Sequence, residues 1–259
     1  MPDTIKIKKN SLSKILAIVL AAIVIVGAIT IFSGNNSDNN STEVPQTPEK
    51  IILDMDDDAV LGEESAQIIL IEFSDYQCPF CQVFWTQTLP AIKSEYIATG
   101  KLKFIYRDFP ITQSHPLAQS AAQAAECVRD QGGDEAYFAM HDKLFGNQYL
   151  ISKQNMLAWA QELGYEITSC LESNKFSLEV KSDAQEGSSA GVIGTPTSFI
   201  LMNKENADIE TLKSMQVENS RKPGTYSIRY VETNDGLVGL RIVGAYPFST
   251  FENAIEAGL

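Results

Sequence analysis

Cys78-Pro79-Phe80-Cys81 pairs two sulfurs at the spacing of a small redox ring. The thiolate, not the thiol, attacks a disulfide, so such a pair can cycle between a dithiol and a closed bridge. The pattern alone also fits half of a metal site or an inert structural bridge. A metal site needs further donors, and the chain offers only His115, His141 and two distant cysteines. Redox exchange is therefore the expected chemistry. Pro79 suits the first position of a helix, which puts both sulfurs in the first turn. Cys78 then faces unpaired N–H groups and the positive end of the helix dipole, which favour its thiolate and make it the nucleophile. Cys81, one turn deeper, is expected to be less exposed and to resolve a mixed disulfide.

The elements that must hold this pair are legible on either side of it. Gln67–Phe73 reads QIILIEF, a short apolar run of the kind that forms a central strand covered on both faces. Phe80, Val83, Phe84, Ile92 and Tyr96 mark one face of the following helix, and Pro90 is expected to kink it. Lys101–Tyr106 alternates like a strand, so residues 67–106 predict a parallel, right-handed β-α-β unit. A helical block follows over about 112–190, with segments at 117–128, Glu135–Phe145 and Gln154–Leu163 divided by Gly132-Gly133, Gly146-Asn147 and Gly164. Strand character returns at Thr197–Met202. After a polar excursion at 203–225, Tyr226–Val231 and Leu237–Val243 flank Asn234-Asp235-Gly236 as a hairpin, and a helix closes the chain at about Phe248–Ala257. The predicted class is α/β with an inserted helical subdomain.

Gly191-Val192-Ile193-Gly194-Thr195-Pro196-Thr197 stands just before the strand at 197–202. Taken with Phe73-Ser74-Asp75-Tyr76-Gln77-Cys78-Pro79-Phe80-Cys81, it resembles the DsbA-type thiol:disulfide oxidoreductases of the thioredoxin superfamily. The likeness covers about 54–202 and resumes near Gly244–Leu259. It implies a thioredoxin-like fold and a cis Pro196 beside the reactive sulfur. Thr195 would then offer its backbone to an extended client and its hydroxyl to Cys78, with Pro79 and Phe80 on the same client face. Glu72 matches the place of a buried acid that relays the proton of Cys81; the alternative is a carboxylate that reaches solvent or pairs with a base. Cys127 and Cys170 match a second, structural disulfide, with two buried free thiols as the alternative. The redox group would be the Cys78–Cys81 disulfide itself, with no cofactor and no metal. Arg107 and Asp108 read as a surface pair, His115 and His141 as packing or capping residues, and Trp85 and Trp159 as core or groove lining.

Charge and hydropathy bear on where this chemistry takes place. Residues 1–32 carry four lysines against one aspartate, so of the total −13 the remainder holds −16. A body that acidic repels phosphate backbones, and no nucleic-acid partner is expected. Ile15–Phe32 has no charged side chain, and as a helix it reaches about 27 Å, close to a hydrocarbon core of roughly 30 Å. With lysines only before it, residues 1–14 are expected to be a cytoplasmic basic tail and 15–32 a single-pass signal anchor in the cell membrane. A cleaved signal peptide is the alternative. Residues 33–57 read as a flexible linker: 33–50 are rich in Ser, Asn and Pro, with an r.m.s. reach of about 23 Å. The acidic run 54–58 lacks the spacing of a calcium loop and reads as a solvated approach. The domain proper is expected at 58–259, with an extra loop or hairpin at about 203–236 that departs from the family pattern.

The expected function is donation of the Cys78–Cys81 disulfide to secreted or envelope proteins. The partners would be reduced or unfolded extracytoplasmic proteins and a membrane redox partner that reoxidises the site. A helix terminus depresses a thiol by about 1.5 pKa units at most. Phe80 supplies neither a cation nor a side-chain hydrogen bond, so a moderate oxidant is expected. An isomerase or reductase of the same fold, or a non-catalytic peptide-binding module, are the alternatives; Cys78→Ala would separate enzyme from module.

Overall fold

The structure, a computed structural model, describes residues 48–54, 57–218 and 226–259. These fall within one compact unit, Pro45–Leu259. The expected basic tail, the apolar run at 15–32 and the linker up to residue 47 lie outside the described residues. Among the described residues no helix is long and apolar enough to cross a membrane.

Eight strands among the described residues form one sheet. They are β1 (Glu49–Ile51), β2 (Val60–Leu61), β3 (Ile68–Ser74), β4 (Leu102–Asp108), β5 (Thr197–Asn203), β6 (Val217–Glu218), β7 (Tyr226–Thr233) and β8 (Leu237–Val243). The order across the sheet is β1-β7-β8-β5-β3-β4-β2, with β6 paired to β7 off this path. β3 runs parallel to β4 and antiparallel to β5, so the strand that feeds the cysteines is central. Alternation along the strands divides the core in two. Ile68, Leu70, Phe104, Tyr106 and Ile200 join one buried cluster that includes the helical block, while Ile71, Phe73, Ile105, Phe199 and Val231 join another with Ile51, Leu53 and Val192. β8 comes close to β5 at Gly239, where a Cβ would meet the Ile200 carbonyl oxygen at 1.7 Å.

The helical segment after β3 begins with α1 (Pro79–Val83), passes through a π-type turn at Phe84–Thr88 into α2 (Leu89–Ile92), and ends in a second such turn at Lys93–Ile97. The wide turn, in which the Leu89 N–H reaches the Phe84 carbonyl, takes up the irregularity that Pro90 imposes. The block then comprises α3 (Ala118–Gly146), α4 (Lys153–Glu162), α5 (Thr168–Glu172) and α6 (Ser177–Ser189). The two expected helices around Gly132-Gly133 are merged in α3, and the break survives as a single non-helical residue, Gly133, at φ 72°.

Two expectations need correction and a third is filled in. The stretch expected as linker carries β1, which pairs in parallel with β7 and is held by Lys50–Glu232 and by Arg229 and Arg241 on Glu49. The region at about 203–236, expected as an extra loop or hairpin, supplies the first strand of the expected β7–β8 hairpin. It holds α7 (Ile209–Ser214), capped by the Asp208 side chain, and β7 is a full strand between β1 and β8. Lastly, Arg107 and Asp108 are not at the surface. Arg107 is 0% exposed, its Nε donating to Asp58 and its Nη1 to Glu186, each at 2.5 Å, and its Nη2 to the Asp54 carbonyl. Asp58 is thereby drawn out of the acidic approach and buried. A guanidinium on a covered strand must be paired, and the acidic run supplies the partner. The last helix, α8 (Phe248–Glu256), buries Phe251, Ala254 and Ile255.

Candidate active site

Cys78 caps the N-terminus of α1 with extended backbone (φ −74°, ψ 122°), and Pro79 follows at the first helical position. The loop that delivers it is closed by the Cys78 N–H on the Asp75 carbonyl at 2.9 Å. The Asp75 carboxylate takes the N–H groups of Gln77 and Ile111, each at 2.7 Å, and the His115 ring at 2.8 Å. Cys78 is 4% exposed and Cys81 0%, both as free thiols. Pro79 and Phe80 stand outside them, Phe80 being 63% exposed.

The Thr195–Pro196 peptide is cis and sets Thr195 against Cys78, whose thiol donates to the Thr195 carbonyl at 3.3 Å. The Thr195 hydroxyl is buried at the site, and its proximity favours the Cys78 thiolate. Glu72, on β3 beneath the pair, is fully buried and accepts from the Ser74 hydroxyl at 2.7 Å. The five residues Cys78, Cys81, Thr195, Pro196 and Glu72 are thus drawn from β3, the cis turn that leads into neighbouring β5, and one helix start.

These surroundings drive the two thiols apart. The Cys81 thiol donates to the Cys78 sulfur and, with the Thr195 hydroxyl and the Cys81 and Phe80 N–H groups, holds Cys78 down to about 6 against its burial. That depression exceeds what a helix dipole alone provides. The contribution at position 80 is its backbone, not its ring. Cys81 is pushed well above the ordinary thiol range by burial first, then by its hydrogen bond with Cys78 and the charge of Glu72. Burial pushes Glu72 up to about 8, the Ser74 hydroxyl opposing. Near neutrality the site holds one thiolate, one thiol and a carboxyl able to keep a proton. A thiolate at the surface side, with a protonated partner behind it, is competent for thiol–disulfide exchange.

Cys127 on α3 and Cys170 on α5 form a disulfide, with Cα atoms 5.9 Å apart. His141 is buried among Tyr76, Tyr106 and Phe145, and burial lowers its pKa. Trp85 stacks on Phe145 and donates to Asp142 at 2.8 Å; Trp159 is in the core. Among the described residues, Asp58, Glu179 and Asp183 place one carboxylate oxygen each within 4.8 Å of one another. Asp58 is engaged by Arg107 and Asp183 by the Asp108 N–H at 3.0 Å. Asp75 and Ser74 escaped the sequence reading, because a carboxylate that organises a loop has no spacing signature of its own.

A family described as Thioredoxin matches residues 54–217, more than half of the chain. The chain belongs to the thioredoxin family. This thioredoxin-family chain is 26% identical over 167 residues to the probable disulfide bond formation protein D of Bacillus anthracis, covering 59% of this chain and 74% of that protein. It is 30% identical over 151 residues to the Na(+)/H(+) antiporter NhaA 1 of Salinispora arenicola, covering 57% of this chain and 22% of the antiporter. The chain thus spans under a quarter of that relative's length, and the antiporter's transport is not carried over. Among solved structures, Wolbachia pipientis alpha-DsbA1 aligns with a TM-score of 0.58 at 22% identity, covering 80% of this chain and 92% of that one. BdbD from Bacillus subtilis, oxidised, aligns with a TM-score of 0.53 at 23% identity, covering 59% and 86%. At these identities the structural likeness speaks for the fold.

Proposed function

We propose that this thioredoxin-family chain is a membrane-tethered, extracytoplasmic thiol:disulfide oxidoreductase that donates the Cys78–Cys81 disulfide to reduced client proteins. The observation that carries the reading is the opposed tuning of two thiols in one helical turn, Cys78 held down to about 6 and Cys81 pushed up. In the donating direction a client thiolate attacks the Cys78 sulfur, and the Cys78–Cys81 bond breaks. Cys81 leaves with the electron pair and takes a proton, with Glu72 in the role of donor, a role its pKa of about 8 supports. A second client thiolate then attacks the client's own sulfur in the mixed disulfide, and Cys78 leaves as thiolate. The client has lost two electrons and the site has gained them. A low pKa makes Cys78 the better leaving group, so the second step favours release of an oxidised client. Exposed Phe80, Val83 and Ile193, with Tyr149 and Leu150 after α3, supply apolar surface of the kind an unfolded chain can use.

The location rests on the sequence, with one supporting feature in the fold. The uncharged run 15–32 after four lysines supports an anchor that leaves the domain outside. The Cys127–Cys170 disulfide suits an oxidising compartment. A partner in the membrane would reoxidise the dithiol. The decisive experiment incubates oxidised protein with a reduced, unfolded client and follows client disulfides, with Cys78→Ala alongside; Cys81→Ala, offered a client that already carries a disulfide, should trap it, the Cys78 thiolate attacking one client sulfur while the other leaves as thiolate. Absence of both turnover and trapped client ends the proposal. Turnover only in the reducing direction replaces donor by reductase.

A further inference from the structure

The loop before α1 is bound to the helical block by side chains rather than by a strand. Gln77 Oε1 accepts the Leu117 N–H at 2.7 Å at the start of the block. At its other end, in the turn Gln148–Leu150 after α3, Gln148 is buried and aims its amide back at the cysteine loop. Gln148 Nε2 donates to the Tyr76 carbonyl and to the Cys78 carbonyl, each at 2.9 Å. Both N–H bonds of one primary amide are thus used on either side of Gln77.

We propose that Gln148 is a positioning residue for the redox reaction, its amide fixing the peptide planes that aim the first turn of α1 at the Cys78 sulfur. The peptide between Cys78 and Pro79 has no N–H, so it is held through its carbonyl alone, which accepts the Gln148 amide at 2.9 Å and, at 3.2 Å, the Gln82 N–H of the helix. That plane sets ψ of Cys78, and ψ of Cys78 sets where the Phe80 and Cys81 N–H groups point. The Tyr76 carbonyl fixes the plane two residues earlier. Helix ends fray readily, and here the end that would fray is the one that stabilises the thiolate. Through Gln148 the inserted block sets the chemistry of the redox helix while touching no reacting atom.

The inference rests on Cys78 being the attacking sulfur, and the test separates the two. Thiolate absorbance of the reduced protein is titrated against pH, and the 78–81 pair is equilibrated with glutathione, for the parent and for Gln148→Met, which keeps volume but removes both donors. Loss of the clamp is expected to raise the Cys78 midpoint by roughly half to one pH unit and to make the pair less oxidising. A purely structural role would lower the unfolding temperature and leave midpoint and potential in place, which would overturn the proposal. If Gln148→Met does not fold, Gln148→Asn decides, since its donors sit on a stem one carbon shorter. A raised midpoint supports the clamp and an unchanged one overturns it. A parent midpoint near that of an ordinary thiol, with no client trapped by Cys81→Ala, would take down the functional reading and this inference together.

Discussion

At the scale of single residues the site works by contrast. Cys78 has its folded pKa depressed to about 6 from 9. A depressed acid stabilises the folded state above its unfolded pKa, and that contribution is lost as pH falls through the folded value. The reduced protein is therefore expected to gain stability over Cys78→Ala between about pH 6 and pH 9, whereas the oxidised protein, which has no thiolate, is not. Urea unfolding of both redox forms at the two ends of that window checks this. Glu72 runs the other way. Its folded value is raised from 4.5 to about 8, so folding loses stability as pH rises from 4.5 through 8. Glu72→Gln should leave stability near pH 4 little changed and improve it near pH 8, by a few kcal/mol at about 1.36 kcal/mol per pKa unit. The same change should slow release of Cys81 in client oxidation. An unaltered stability difference across the range would show that Glu72 is solvated.

At the scale of elements, the ion cluster under β4 is the part of the fold most exposed to a single substitution. Arg107→Met removes a fully buried guanidinium and leaves Asp58, itself only 8% exposed, without that partner. Stranding one partner of a buried pair costs about 3–5 kcal/mol, and thermal unfolding should register it as a marked drop. A change under 1 kcal/mol would mean water reaches the cluster. How much could be read from sequence divides along the same line. β3, α1, β4 and the hairpin announced themselves through period, Pro79 at a helix start and Asn234-Asp235-Gly236, all local signals. Cys78 and Cys81 were legible for the same reason, and Thr195-Pro196 only through the family resemblance. Arg107 was misread because nothing local shows that Asp58, far back in the chain, folds under it. β1 was hidden because a three-residue strand in a polar stretch leaves no periodic trace. Gln148 lay unread because an amide on a turn means nothing until the loop it holds is in place.

At the scale of the whole molecule, the disulfide between α3 and α5 spans a sequence separation of 43. Closing a loop of that size restricts the unfolded chain by roughly 4 kcal/mol in the chain-entropy model. Replacing both Cys127 and Cys170 by Ala should lower the unfolding temperature while leaving the Cys78 titration in place. A shifted titration instead would mean that the block's rigidity reaches the site. One end of the sheet has its own consequence. β1 is an edge strand of three residues, and it covers Val231–Thr233 of β7, a strand of eight whose start is paired with β6. Any shortened form of this protein that starts after Ile51 would bare that border and offer it to another copy. Such a form should elute as assemblies or precipitate, whereas one cut just upstream of Pro48 should stay monodisperse. The place to trim the N-terminal residues is therefore decided by the sheet's far border, four strands away from the sulfur whose activity the trimmed protein would be made to measure.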